Sequence, residues 1–178
     1  MAGRSYVFIV RWLIAVFALP FTVLVAVPSL LLWLTCGHDW AACLPSPCSI
    51  RLWAAVVFGL VGLMLALWTC SLFFRFGEGT AAPWDPPKRF VVRGPYRHVR
   101  NPMITGVILV LSAETILFSS LALAAWLCLF ALGNLLYIPA IEEKALARRF
   151  GTEYEAYRRH VPRWLPRRTA WKPEASGK

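Results

Sequence analysis

The chain has 178 residues, of which 58% are hydrophobic, and its formal charge is +10. Soluble domains contain about 45–50% apolar residues, and a chain of this length cannot bury the excess, which excludes an ordinary soluble domain. The mean hydropathy of +0.58 despite this charge shows that apolar and basic residues are segregated. The basic residues flank apolar runs, which is typical of a membrane protein and disfavours nucleic-acid binding. The length suits one domain covering residues 1–178.

Four apolar segments are predicted to be membrane helices, and the chain is therefore predicted to be an all-α polytopic bundle. The first is too long for the apolar region of a signal peptide and is predicted to be retained. Pro20 and Pro28 predict that it is either one bent helix or a helix with a re-entrant piece. Ser119 and Ser120 predict a tight hairpin between the last two segments. The four segments are residues 6–34, 52–74, 103–118 and 121–141.

Two polar segments, 76–102 and 142–178, are predicted to lie outside the bilayer. Prolines rule out a regular helix in the first. In the second, Gly151 is a predicted helix end, and a new short amphipathic helix follows, which Val161-Pro162 terminates. A continuous helix there would place Phe150, Tyr154 and Tyr157 on one face.

The distribution of charge predicts the orientation. Both polar segments are rich in Lys and Arg, whereas the loop 36–51 holds only Asp39 and Arg51. By the positive-inside rule, the N- and C-termini lie in the cytosol. The outer loop contains Cys36, Cys43 and Cys48, for which a disulfide and free thiols both remain open. The cysteine and histidine spacings typical of a zinc site are absent from the sequence, so no metal is expected.

The segment from Gly94 to Pro102 precedes the third predicted helix. Pro102 suits the first helical turn. The free amides of that helix end, together with Arg97 and Arg100, could bind an anionic group such as a carboxylate. The alternative interpretation is a basic turn that contacts lipid headgroups.

Two adjacent carboxylates, Glu142 and Glu143, follow the fourth predicted helix. A helix C-terminus disfavours negative charge, so these side chains are expected to have a cationic partner. Arg93, Arg97 or Arg100 could supply that partner, as could the ammonium or sulfonium group of a ligand.

An ordered set of short motifs between Phe76 and Arg167 resembles the isoprenylcysteine carboxyl methyltransferase and phospholipid methyltransferase family of integral membrane enzymes. The resemblance covers about half of the chain. The motifs are Gly77-Glu-Gly-Thr80, Pro86-Pro87, Gly94-Pro-Tyr96, Arg100-Asn-Pro102, Gly106, Glu142-Glu143, Phe150-Gly151, Tyr154, Tyr157 and Val161-Pro162.

The resemblance implies that S-adenosylmethionine is the cofactor and that its site lies at the cytosolic face. Asn101 and Ile104 stand where the prenylcysteine enzymes have histidine and tyrosine, so an imidazole and a phenol hydroxyl are missing here. The cofactor-binding residues expected from the resemblance and from the basic turn are Lys88, Arg89, Phe90, Val91, Gly94, Tyr96, Arg97, His98, Asn101, Pro102, Met103, Ile104, Glu142 and Glu143.

The predicted function is methyl transfer to a lipophilic acceptor that enters from the bilayer between the third and fourth helices. The cofactor carboxylate is assigned to Arg97 or Arg100 and its cationic end to Glu142, with Arg100 and Glu142 as the catalytic residues. Arg100 could alternatively orient an anionic acceptor. A prenylcysteine carboxylate, a phospholipid amine and a small lipophilic molecule remain open as acceptors.

Two side chains have alternative interpretations. His98 is the nearest candidate for a general base, or simply a surface residue of the basic turn. Glu114, an acid within an apolar segment, is expected either to bond Asn134 or to line the acceptor path.

Two other classes of protein fit the same sequence. One is a membrane lipid reductase that uses a nicotinamide cofactor, and the other is a small non-enzymatic membrane protein. The expected partners in the favoured interpretation are the lipid bilayer and the methyl acceptor.

Overall fold

The computed structural model describes residues 19–37, 44–77 and 90–172, and every regular element in these ranges is helical. Three helical runs are long and apolar enough to cross a membrane, and a shorter apolar helix accompanies them. This architecture confirms the predicted all-α membrane bundle. The runs are Leu19–Cys36, Ile50–Gly77 and Leu121–His160, and the shorter helix is Pro102–Phe118.

The first helical run begins at Leu19, so the earlier part of the predicted segment 6–34 lies outside the described residues. A π-helical turn at Thr22–Ala26 leads into helix α1, Val27–Cys36. Pro28 stands in the first turn of α1, where its missing N–H is tolerated. The described part is therefore one continuous helical run, with a π turn where the two prolines predict a disturbance.

Helices α2 (Ile50–Leu72), α3 (Pro102–Phe118) and α4 (Leu121–Tyr137) match the other three predicted segments within a few residues. Pro102 occupies the first turn of α3, as predicted. Ser119 adopts a left-handed backbone with φ 47°, and the Ser120 hydroxyl accepts the Leu123 amide at 3.4 Å to begin α4. These two residues form the predicted tight link.

Helices α2 and α3 make the most extensive helix contact, and it is closest at Gly62 and Gly106. A Cβ atom on Gly106 would lie 2.8 Å from the Gly62 carbonyl oxygen and 3.0 Å from the Ala66 amide nitrogen. Only glycine lets two helix backbones approach this closely. The glycine pair therefore fixes where α2 crosses α3.

Helix α5, Glu143–His160, continues the line of α4 through a second π turn, Ile138–Glu142. Gly151 interrupts α5 with non-helical φ 52° and ψ −128°, which confirms the predicted break. Val161 ends the helix in an extended conformation, also as predicted. The segment 161–172 then turns back along the residues that precede α3.

Candidate functional site

The turn before α3 rests on the C-terminal end of α2. Residues Gly94–Arg97 form a short 3-10 helix. Gly94 has φ 54°, and a Cβ there would lie 3.2 Å from Cζ2 of Trp68 and 3.1 Å from Cδ1 of Leu72. Both the positive φ and the close contact require glycine at this position. The turn is thereby fixed against the membrane helices.

Tyr96 is buried at the centre of this turn. Its ring makes an edge-to-face contact with Phe73, at a centroid distance of 5.3 Å. The Tyr157 hydroxyl donates a hydrogen bond of 2.7 Å to the Tyr96 carbonyl. Burial raises the pKa of Tyr96 well above its usual value, so its phenol is neutral at physiological pH.

The π turn Phe73–Gly77 at the end of α2 carries two aromatic contacts to the turn. Phe73 contacts Tyr96, and the guanidinium of Arg93 lies 4.0 Å from the centroid of the Phe76 ring. This cation–π contact holds Arg93 beside the end of α2. Single π turns inside helices are frequent at functional sites. The π turn Ile138–Glu142, between α4 and α5, carries Glu142.

An aromatic cluster attaches α5 to the segment before the turn. The ring centroid of Phe90 lies 5.2 Å from that of Phe150, 5.7 Å from that of Tyr154 and 5.1 Å from that of Tyr157. All three α5 residues therefore contact the same ring, although the continuous helix on which their predicted common face depended is broken at Gly151. Burial raises the pKa of Tyr154 to about 12, which keeps this phenol neutral as well.

Glu143 is a buried carboxylate held by two arginines. Arg100 Nη1 donates to Glu143 Oε1 at 2.8 Å. Arg163 donates from Nε to Oε1 at 2.8 Å and from Nη2 to Oε2 at 3.0 Å. The hydrogen bonds to Glu143 raise the pKa of Arg163. The expected arginine partner for the paired acids is therefore Arg100, joined by Arg163, which the sequence did not single out.

Glu142 is in a different environment from its neighbour. Its side chain is half-buried, and within the described part of the chain it makes no ion pair or hydrogen bond. Burial, followed by the adjacent charge of Glu143, raises the pKa of Glu142. Its charge also contributes, as the smallest of several causes, to the raised pKa of Tyr96. A carboxylate in these surroundings is suited to bind a cation.

An open cavity of about 550 Å³ lies beside the turn. Its volume is within the usual range for a small-molecule site. Arg97 is half-buried in its wall and donates from Nε to the Val92 carbonyl at 3.4 Å. Two guanidinium groups, one carboxylate and an aromatic ring therefore surround this cavity. The lining residues are Phe90, Val92, Arg93, Gly94, Arg97 and Glu153.

Two of the predicted site residues contact the C-terminal segment. His98 Nδ1 lies 2.8 Å from the Arg167 carbonyl oxygen, and Asn101 Nδ2 donates to the Arg163 carbonyl at 3.5 Å. Backbone hydrogen bonds of 3.0 Å join Arg167 to His98 and Trp171 to Arg97. In this structure, His98 and Asn101 thus help to attach the tail.

The remaining predicted residues fall into two groups. Val91 is buried against Leu72 and Tyr96, and Met103 and Ile104 lie half-buried in the first turn of α3 with the buried Pro102. Lys88 and Arg89 lie outside the described residues, as do most of the residues of the Gly77–Thr80 motif. The cofactor contacts of all these positions stay predictions.

The predicted bond between Glu114 and Asn134 is not formed. Asn134 Nδ2 donates instead to the Phe130 carbonyl at 2.8 Å. Glu114 Oε2 is buried and has no hydrogen-bond partner among the residues that the structure describes. Those residues also contain no group of three or more potential metal ligands.

The fold and the site together define a polytopic membrane protein with a charged cavity beside the ends of its helices. Comparison with known protein families matches residues 50–153 to the phospholipid methyltransferase family. The chain belongs to this family, which confirms the predicted resemblance. The match begins with α2 and ends within α5, so it includes the basic turn and both glutamates. No curated protein and no solved structure matches the chain.

Proposed function

We propose that the protein transfers a methyl group from S-adenosylmethionine to a lipophilic acceptor that reaches the site from the membrane. The observation that carries this proposal is Glu142, a half-buried carboxylate with a raised pKa and with no cation of the described chain paired to it. Membership of a methyltransferase family makes a cationic cofactor its natural partner.

The described residues offer a group of each sign for a ligand that carries both charges, although Glu142 is not among the residues that line the cavity. Glu142 would receive the cationic end of the cofactor. Arg97 lines the cavity, and its guanidinium would receive the carboxylate. Arg100 is already engaged by Glu143, so Arg97 is the better candidate for this contact. Arg100 Nε is buried and has no hydrogen-bond partner among the described residues, so this N–H would remain to orient an anionic acceptor at the reacting end.

When bound, the cofactor would supply an electrophilic methyl group on its sulfonium. A lone pair of the acceptor would form the new bond to the methyl carbon as the carbon–sulfur bond breaks, and the cofactor would leave as a neutral thioether. A carboxylate acceptor needs no proton transfer for this step, whereas an amine acceptor must lose a proton to solvent. Charge is dispersed in this step, so a site that excludes water favours it. The rings of Tyr96 and Tyr157 are buried and make the surroundings of the turn before α3 largely apolar. The protein's main task is to hold donor and acceptor in line.

The helix packing supports lateral access of the acceptor between α3 and α4. The close glycine contact closes the α2–α3 side, whereas α4 contacts α3 much less extensively. Leu129, Leu132 and Leu136 of α4 are exposed and apolar, as expected for a lipid-facing surface. The acceptor that takes this route would be a prenylcysteine carboxylate, a phospholipid amine or another small lipophilic molecule. In the proposed orientation, both termini of the chain lie on the cytosolic side of the bilayer.

The test is a methyl-transfer assay with radiolabelled S-adenosylmethionine, using purified protein in lipid nanodiscs and a panel of lipophilic acceptors. The wild type is expected to label at least one acceptor. Glu142→Ala is expected to abolish cofactor binding, because it removes the proposed cation site. The matched control is Glu155→Ala, since Glu155 is exposed and forms only a 3.9 Å pair with Arg159.

Two outcomes would reject the proposal. Saturable binding of a nicotinamide cofactor without binding of S-adenosylmethionine would favour a membrane lipid reductase. Binding of neither cofactor, with Glu142→Ala behaving as the wild type, would favour a non-enzymatic membrane protein.

A further inference from the structure

The C-terminal segment is attached to the candidate site at Pro162 and Arg163. The Arg100 amide donates to the Pro162 carbonyl at 2.9 Å, and Asn101 Nδ2 donates to the Arg163 carbonyl. These two contacts reach the turn immediately before α3. The same two tail residues therefore touch the part of the chain that carries Arg100.

Arg163 also reaches the end of the fourth membrane helix through its side chain. Its two hydrogen bonds to Glu143 engage both carboxylate oxygens. Such bidentate pairs fix orientation as well as distance. The Glu143 side chain is only 6% exposed, whereas that of Arg163 is 31% exposed. The Glu143 carboxylate is therefore the group of this pair that is shielded from water. Loss of its partner would leave a buried charge without compensation, which is destabilising.

Glu143 joins three parts of the chain, because Arg100 binds the same Oε1 atom that Arg163 Nε contacts. The start of α3, the start of α5 and the tail consequently meet at one carboxylate. Glu142 precedes Glu143 in the chain and ends the π turn that leads into α5. The contacts that hold the Glu143 carboxylate therefore also restrain the backbone next to Glu142.

We infer that Arg163 is a positioning residue for the methyl transfer proposed above, on which this inference rests. Arg163 takes up the Glu143 carboxylate and fixes the backbone at the α4–α5 junction. This leaves Glu142 as the acid that faces the ligand. Without Arg163, Glu143 would rely on Arg100 alone, and the backbone at Glu142 would be held less firmly at the α4–α5 junction.

The experiment compares Arg163→Ala, Arg163→Lys and the control Arg159→Ala in nanodiscs. Arg159 is also a helix-side arginine paired to a glutamate, but its side chain is 77% exposed. Arg163→Ala is expected to raise the KM for S-adenosylmethionine about tenfold or more, since a misplaced ligand group weakens productive binding. Arg163→Lys should recover only part of this loss, because an ammonium cannot form the bidentate pair.

Added guanidinium provides a readout that a general folding defect would not show. Guanidinium is expected to lower the raised KM of Arg163→Ala by binding Glu143. The KM of Arg159→Ala should be the same with and without guanidinium. Wild-type KM and kcat in Arg163→Ala would overturn the inference. A lower folded fraction with normal KM, and no rescue by guanidinium, would overturn it as well.

Limited trypsin digestion tests the attachment without any activity measurement. In Arg163→Ala, cleavage after Arg167 and Arg168 is expected to be about tenfold faster than in the wild type, because the tail opens more often. An unchanged cleavage rate would refute the attachment. Inactive wild-type protein with faster cleavage of Arg163→Ala would instead refute the proposed methyl transfer and the assigned role in it, while leaving the attachment established.

Discussion

Replacing Gly106 by alanine should separate α2 from α3. The added Cβ would lie 2.8 Å from the Gly62 carbonyl oxygen and 3.3 Å from the Ala66 Cα. Because these atoms are backbone, the helices must move apart by several tenths of an ångström. Overpacking of this kind costs about 1–3 kcal/mol, which lowers Tm by roughly 2–12 °C for a protein of this size.

Gly133→Ala is the matched control, because a Cβ on Gly133 in α4 has no atom within 4 Å. Alanine exceeds glycine in helix propensity by about 1 kcal/mol, so its Tm should be unchanged or slightly raised. The assay is thermal unfolding of both variants in the same nanodiscs, followed by tryptophan fluorescence. Equal Tm values for the two variants would refute the close packing at Gly106.

Three further predictions concern the site and the orientation. Because the folded-state pKa of Glu142 is raised from 4.5, its contribution to stability is complete below pH 4.5 and is lost as pH rises through the raised value. Glu142→Gln should therefore increase the Tm of ligand-free protein at pH 7.5 relative to the wild type while weakening cofactor binding; a decrease in Tm would contradict this. Tyr157→Phe removes the 2.7 Å bond to the Tyr96 carbonyl and should cost about 1–3 kcal/mol in urea unfolding, whereas Tyr137→Phe, at a 39% exposed position, should not. Finally, a variant with Cys48 as its sole cysteine should react with an impermeant maleimide on intact cells, because this thiol is exposed and predicted to be outside; a sole cysteine at position 168 should react only after permeabilisation.

The sequence predicted the helices well because their signals are local. Long apolar runs, Pro102 at a helix start and Gly151 at a helix break each act within a few residues. Pro20 and Pro28 predicted a disturbance near the π turn Thr22–Ala26, whereas no prediction was made for the π turns Phe73–Gly77 and Ile138–Glu142. They change the direction of side chains at helix ends through a single shift in backbone hydrogen bonding.

The roles of Glu142 and Glu143 could not be separated from sequence alone. Both acids stand at the same helix end, and either could have paired with an arginine of the basic turn. Which one is buried with Arg100 depends on the rotation of the helix after its π turn. Arg163 was missed for a related reason, since it lies 20 residues from Glu143 and only the returning tail brings them together.

Gly94 and Gly106 are each required to be glycine, but for different physical reasons. Gly94 is needed for its positive φ and for its contact with Trp68, whereas Gly106 is needed only for helix approach. Both belong to the motifs that carry the family resemblance. The structure therefore accounts for Gly106 through packing, without a contact to a ligand.

The order in which the chain is synthesised has a consequence for biogenesis. Arg100, Glu143 and Arg163 meet although 43 and 20 residues separate them along the chain. The helices can insert into the bilayer as they leave the ribosome, but the carboxylate cannot gain its second arginine until residue 163 has emerged. Nascent chains that stall before this point would be membrane-embedded yet unable to complete the Arg100–Glu143–Arg163 cluster, which makes them natural targets for quality-control proteolysis.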